Sequence, residues 1–239
     1  MTAITATDNK LKRLVRSVKI PPVFFFLVAV FLIGGTLDQI LSDGQIFTNP
    51  QILLNIIVRS VALGIVAVGQ TLVIIGASID LSVAYTISIT AIMSSYIMQG
   101  KTENVFVAIV GVLAIGIAIG FMNGFIVTNL RENPFIATLG TSLIIKGIIN
   151  ASFSNYTGSV PKSFEFFGYG MIGPIPVSII ILLLIVLVGW FLLSRTQFGA
   201  HLYGVGGNIE VARLSGVRTD RALIGAHILC SITAVISGL

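Results

Sequence analysis

Apolar residues fall into seven long blocks along the chain, near 21–37, 51–75, 82–99, 105–129, 134–150, 174–194 and 222–239, with short polar stretches between them. Crossing about 30 Å of hydrocarbon takes roughly 20 helical residues at about 1.5 Å each, and every block reaches or approaches that length. None shows the period-two alternation of barrel strands. A helix satisfies its own backbone donors and acceptors in lipid, so the pattern predicts an all-α, polytopic transmembrane helix bundle. Proline supports the limits: Pro21, Pro22, Pro50, Pro134, Pro174 and Pro176 stand at block starts, where a missing N–H costs least. The polar stretch from Ala151 to Gly173 fits a small surface helix or an irregular lip equally well.

Composition agrees with this class. Charged residues make up 10% of the 239 and hydrophobic ones 55%, with a mean hydropathy of +1.03; a soluble domain carries roughly 25% charge. The net charge of +5 is unevenly placed. Lys10, Lys12, Arg13, Arg16 and Lys19 precede the first block. Counting sides alternately from there groups them with Arg131, Arg195, Arg213, Arg218 and Arg221, and leaves only Lys101 and Lys162 opposite. Basic flanks stay in the cytoplasm, so this bias orients the N-terminus and the 195–221 loop inward and argues against nucleic-acid binding. The expected organisation is a basic cytoplasmic segment at 1–20, six spans within 21–194, a cytoplasmic loop at 195–221 and the start of a seventh span at 222–239. The first block reads as an uncleaved start-transfer helix, since further spans follow it. The last block stops at Leu239 without a polar flank, which predicts a truncated product whose functional unit has more helices. Cys230 is the lone cysteine, so a disulfide within the chain is excluded.

Catalytic motifs are missing. The phosphate-cradling G-x-x-x-x-G-K-[ST] pattern and H-E-x-x-H do not occur, and the run from Gly204 to Ile209 lacks the last glycine of a dinucleotide fingerprint. His201 reads as a polar loop group and His227 as a packed or pore-facing residue near a helix start. Gly116, Gly120 and Gly124 recur every four residues, a spacing that lets two helix backbones approach closely. Arg59 and Lys146 lie near enough to block ends to snorkel outward.

Asp80 is different. It sits in GASIDLSV, Gly76 to Val83, where small and polar residues interrupt the apolar pattern. Broken backbone at membrane depth is tolerated only where it is buried in protein or lines a cavity. Asp80 fits the N-cap of a helix starting at Leu81, a role compatible with a place on a transport path. Gln70, Thr71, Ser82 and Asn123 add neutral amides and hydroxyls nearby in the pattern. Such groups suit a hydroxyl-rich, uncharged solute, and they equally serve as hydrogen bonds between helices.

The stretch from Phe198 to Arg221, FGAHLYGVGGNIEVARLSGVRTDR, is charged and Gly-rich between two apolar blocks, and its use is to meet something in water. With GASIDLSV and NGFIVTNLRENPFIATLGT (Asn123 to Thr141), this loop resembles, in order and spacing, the permease subunits of ABC importers for monosaccharides of the ribose, xylose, arabinose, galactofuranose and autoinducer-2 type. The resemblance covers residues 51–239. It implies a permease of about ten helices in a bacterial inner membrane, moving a small-molecule sugar by alternating access. It also implies a second permease copy, identical or not, a periplasmic or lipid-anchored sugar-binding protein, and an ATPase subunit. ATP and magnesium would be held by that ATPase, with no cofactor or metal in this chain. The loop centred on Gly207, Asn208, Glu210, Ala212, Arg213 and Gly216 looks like the element that docks into the ATPase. Gln70, Thr71, Asp80, Ser82 and Asn123 would lie on the substrate pathway. The chain departs from the family pattern in having Ala77-Ser78 and Ala84 where glycines are usual, and Ala200 where arginine is common. The rival classes are an ATP-independent channel, a non-transporting membrane assembly subunit and an intramembrane enzyme, the last lacking any nucleophile–base constellation.

Overall fold

The computed structural model describes residues 21–41, 44, 49–153, 156 and 158–239, so the basic segment 1–20 lies outside the described residues. The chain divides into two compact units, residues 1–56 and 57–239. The first holds α1 (Pro22–Leu41) and the beginning of α2 (Pro50–Ile75). The apolar side chains of α1 are almost all exposed within this unit, as expected for a helix whose solvent is lipid rather than water.

The second unit continues from residue 57 of α2 through α3 (Val83–Met98), α4 (Val105–Asn129), α5 (Pro134–Phe153), the short α6 (Lys162–Tyr169), α7 (Val177–Arg195), α8 (Gln197–Gly207), α9 (Ile209–Leu214) and α10 (Thr219–Gly238). A two-residue hairpin, β1 (Met171–Ile172) with β2 (Ile175–Pro176), turns at Gly173 between α6 and α7. The polar stretch after Ala151 thus contains a small helix and a hairpin. Six helices among the described residues are long and apolar enough to cross a membrane. The third expected span is the exception. Its helix, α3, has 16 residues, about 24 Å of rise, and the preceding residues 76–82 carry no helix.

The glycine stripe of α4 does pack a helix, and that helix is α10. A Cβ at Gly120 would stand 2.6 Å from both the His227 carbonyl oxygen and the Ile228 Cα, and one at Gly124 would stand 2.6 Å from the Ile224 Cα. Lipid offers no hydrophobic drive for helix association, so close backbone approach replaces it. Leu72 and Val73 of α2, Val83 of α3, Leu202 of α8 and Ala226, Cys230 and Ala234 of α10 form the main buried apolar cluster.

The two ends of this unit differ. At one, Gly100 N–H donates to the Ser159 carbonyl at 3.1 Å, and Met98, Ala108 and Phe164 are buried together. At the other, the end of α2, the α4–α5 connection, α8 and α9 come together around a cavity of about 630 Å³. Arg59 is exposed and lines a separate, mainly apolar cavity with Ile65, Phe164 and Phe167. Lys146 is exposed as well, its ammonium 5.9 Å from the Tyr85 ring centroid.

Candidate functional site: a polar network behind a broken helix

The helix α2 ends in a six-residue turn. Ala77 N–H donates to the Ile74 carbonyl at 3.0 Å and Ser78 N–H to the Val73 carbonyl at 3.1 Å, the paired bonds of a Schellman motif. The residue in the left-handed position, where glycine is favoured, is Ala77 with φ +55°. Gly76 precedes it because a Cβ there would stand 2.9 Å from Leu202 Cδ1 and Leu223 Cδ2. The chain then runs without helix to Ser82, and α3 begins at Val83. The cap expected for a helix from Leu81 is therefore displaced by two residues.

Backbone groups freed by this break need partners, because a buried N–H or C=O without one is costly. Side chains from other helices supply them. Leu81 N–H donates to Thr138 Oγ1 of α5 at 3.0 Å, and the Asp80 carbonyl accepts from Gln70 Nε2 of α2 at 3.3 Å. Asp80 itself makes an Asx turn, its Oδ1 accepting from Ser82 N–H at 2.9 Å and from Ser82 Oγ at 2.6 Å.

The carboxylate also reaches two further helices. Asn123 Nδ2 of α4 stands 3.4 Å from both carboxylate oxygens and 2.9 Å from Ser82 Oγ. Asn123 Oδ1 in turn accepts from Thr141 Oγ1 of α5 at 2.7 Å. On α10, His227 Nδ1 lies 3.3 Å from Asp80 Oδ2, and its Nε2 lies 3.0 Å from Ser78 Oγ. With the proton on Nδ1, the ring donates to Asp80 and accepts from Ser78, so both nitrogens are satisfied. The side chains of Asp80 and His227 are both wholly buried. An ionisable side chain at membrane depth is tolerated where it faces protein and is paired, and this one is held by donors from three elements.

The expected site residues thus separate. Asp80, Ser82 and Asn123 are buried and bonded to one another. Gln70 is half-buried at their edge, accepting from Cys230 Sγ at 3.3 Å. Thr71 is exposed, and its hydroxyl bonds back to the Ala67 carbonyl of its own helix. His227, Ser78, Thr138 and Thr141 complete the network without having been singled out as its members from sequence. The one available signal was a general one: a carboxylate in an apolar segment needs a partner, and histidine is scarce here. His201 is exposed on α8, outside the network.

The polar stretch after α7 forms two short helices, α8 and α9. Thr196 caps α8, its hydroxyl accepting from Gly199 N–H at 3.3 Å. Asn208 separates α8 from α9 and caps the latter, Oδ1 accepting from Glu210 and Val211 N–H at 3.0 and 3.1 Å. Gly216, φ +83°, ends α9 with a second Schellman pair from Gly216 N–H to Arg213 and Val217 N–H to Ala212, each 3.0 Å. Ala212 is buried against Val205, Ala222 and Leu223, which leaves Gly207, Asn208, Glu210, Arg213 and Gly216 exposed. Val211 and Leu214 are also exposed, at 59% and 87%. The cavity at this end is walled by Gly76–Ser78, by Arg131 and Glu132, by Gly206–Glu210 with Arg213, and by Asp220 and Leu223. Ser78 thus connects the buried network to an open space bordered by the α8–α9 pair.

Comparison with known proteins adds the context. The chain is 35% identical over 196 residues to the ribose import permease protein RbsC of Escherichia coli, which covers 78% of this chain and 60% of that protein. It is 29% identical over 218 residues to the D-allose transport system permease protein AlsC of the same organism, covering 90% and 65%. It is 29% identical over 234 residues to the galactose/methyl galactoside import permease protein MglC of Haemophilus influenzae, covering 90% and 68%. The chain therefore spans about three fifths of the length of the ribose permease it matches. No solved structure matches. The sequence profile described as "Branched-chain amino acid transport system / permease component" matches residues 52–239, so the network, the break and the α8–α9 pair all lie inside the matched region, and the protein belongs to that family of multi-pass membrane permeases.

Proposed function

We propose that this chain is part of the transmembrane subunit of an ATP-driven importer that moves a monosaccharide across a bacterial inner membrane by alternating access. The observation that carries the reading is the α8–α9 pair. It is a rigid, doubly capped polar elbow whose functional face is exposed while Ala212 anchors it to α10. The elbow faces the cytoplasm, in keeping with the arginines at 195, 213, 218 and 221. It seats in a partner ATPase that binds ATP and magnesium, and it passes the partner's closure to the helices. A second permease copy and an external sugar-binding protein complete the assembly. The relatives' names supply the solute class: ribose, allose and galactose are all uncharged and rich in hydroxyls. Asp80, Ser82 and Asn123 form the buried network that backs the solute path, with Gln70 at its edge, and Thr71 faces away from that network.

Gly207 gives a clean test of the partner face, because a Cβ placed there meets nothing within 4 Å in this chain. In vesicles carrying the full permease with its ATPase and binding protein, a panel of labelled sugars should show ATP-dependent uptake of one or a few. Gly207→Trp and Glu210→Arg should each lower that uptake at least tenfold with membrane insertion intact. Uptake that persists after ATP depletion points to a channel, and normal uptake in both variants removes the elbow from coupling.

A further inference from the structure

The break between α2 and α3 is gripped from two sides. From α10, His227 holds Asp80 at 3.3 Å and Ser78 at 3.0 Å, both ring nitrogens engaged. From α8, Gly206 presses on the turn itself: a Cβ there would meet the Ile75 carbonyl group and would stand 3.5 Å from Ala77 N. Leu202, one turn earlier on α8, fills the space over Gly76. Backbone lies against backbone at Gly206, so a displacement of α8 has no compliant side chain to absorb it. The elbow that faces the partner and the turn that begins the polar break are therefore in direct contact.

We propose that the Asp80–His227 contact is a latch, closed here, that holds the break against α10, and that α8 parts it by driving Gly206 into the Ile75–Ala77 turn. Asp80 and His227 act as positioning residues and need not touch solute. This inference rests on the α8–α9 pair being the element that receives the partner's work. Parting the latch frees Ser78, which already lines the cavity of about 630 Å³, and lets water reach the network. Cys230 lies one turn beyond His227 on α10 and is wholly buried. Its thiol bonds to Gln70, whose amide bonds to the Asp80 carbonyl. Cys230 is thus a built-in reporter of the latch.

The experiment uses the full-length permease with its ATPase and binding protein in vesicles. Labelling of Cys230 by a membrane-permeant maleimide is followed on the Cys230-containing peptide, with sugar uptake measured in the same vesicles. Labelling of the wild type should be at least tenfold faster during turnover than without nucleotide. In Asp80→Asn the carboxylate charge is lost and the new amide hydrogens face the Asn123 amide donor, so nucleotide-free labelling should rise at least tenfold. His227→Leu removes the same contact from the other side and should do likewise. Gly206→Val holds α8 off the turn and should cut the turnover-dependent rise below twofold. ATPase co-purification shows which variants assemble, and the wild-type comparison needs none of them. Wild-type labelling that ignores turnover while ATP-dependent uptake proceeds overturns the latch alone. So do assembled Asp80→Asn and His227→Leu forms that both keep the slow nucleotide-free rate. If the wild type shows no ATP-dependent uptake, the transporter reading falls and the latch falls with it.

Discussion

Ala77 occupies a backbone conformation that costs an L-residue about 1–2 kcal/mol and costs glycine almost nothing. Its φ of +55° closes the turn that releases the chain into the break. The alanine at this point therefore has a defined energetic sign. Ala77→Gly should stabilise the protein by up to about 1 kcal/mol, after the added freedom of the unfolded chain is deducted. In detergent that corresponds to a melting temperature higher by about 2–4 °C, and an unchanged or lower value would show that the turn is not held as described. Asp80 has the opposite sensitivity. Leaving a buried donor without its acceptor costs about 1–3 kcal/mol, and Asp80→Leu removes the acceptor shared by Ser82, Asn123 and His227. Asp80→Leu should unfold well before Asp80→Asn, whose remaining carbonyl oxygen still accepts from Ser82. Equal melting of the two variants would mean that the hydrogen-bond count around the carboxylate does not govern stability.

Glycines on neighbouring helices show how packing assigns roles that composition alone leaves equal. A Cβ at Gly120 of α4 would stand 2.6 Å from the backbone of α10, whereas one at Gly140 or Gly147 of α5 would meet nothing within 4 Å. Gly120→Ala must push two helix axes apart and should cost about 1–3 kcal/mol. Gly140→Ala and Gly147→Ala should be neutral or gain up to about 1 kcal/mol of helix propensity; detergent unfolding of the three variants would separate these cases. The α4 stripe could be read from its spacing, but its partner could not, since α10 lies more than a hundred residues further on. Helix limits were similarly legible where proline and a long apolar run coincide: the expected 51–75 and 134–150 are Pro50–Ile75 and Pro134–Phe153. Gln70 and Thr71 were indistinguishable in the chain, yet one step of about 100° around the helix turns only Gln70 toward the network. The Asp80–His227 pair, 147 residues apart, was beyond any periodicity argument. It is a product of how α10 lies across the break, and local pattern carries no information about that.

Across residues 57–239 the polar work is gathered at one end. The break, the network, the α4–α5 connection and the α8–α9 pair all adjoin the same cavity, while the opposite end closes around Met98, Ala108 and Phe164. Exposed apolar side chains on the spans are accounted for by lipid, but Val211 and Leu214 stand on α9 outside every span. Spaced three apart, they share the helix face turned away from buried Ala212. Glu210 and Arg213 flank them, their side chains 3.5 Å apart. An apolar centre with a charged rim is the composition of a protein-binding patch. Neither side chain packs in this unit, so replacing both should leave the permease's own melting temperature within about 1 °C. Hot-spot residues at an interface centre typically contribute about 2 kcal/mol or more each, so Val211→Asp with Leu214→Asp should weaken co-assembly with the ATPase at least thirtyfold. Titrating the ATPase onto the detergent-solubilised double variant would measure this directly. Wild-type affinity in that titration would place the partner surface elsewhere on the loop, and a fallen melting temperature would show that α9 is held by packing rather than presented to a partner.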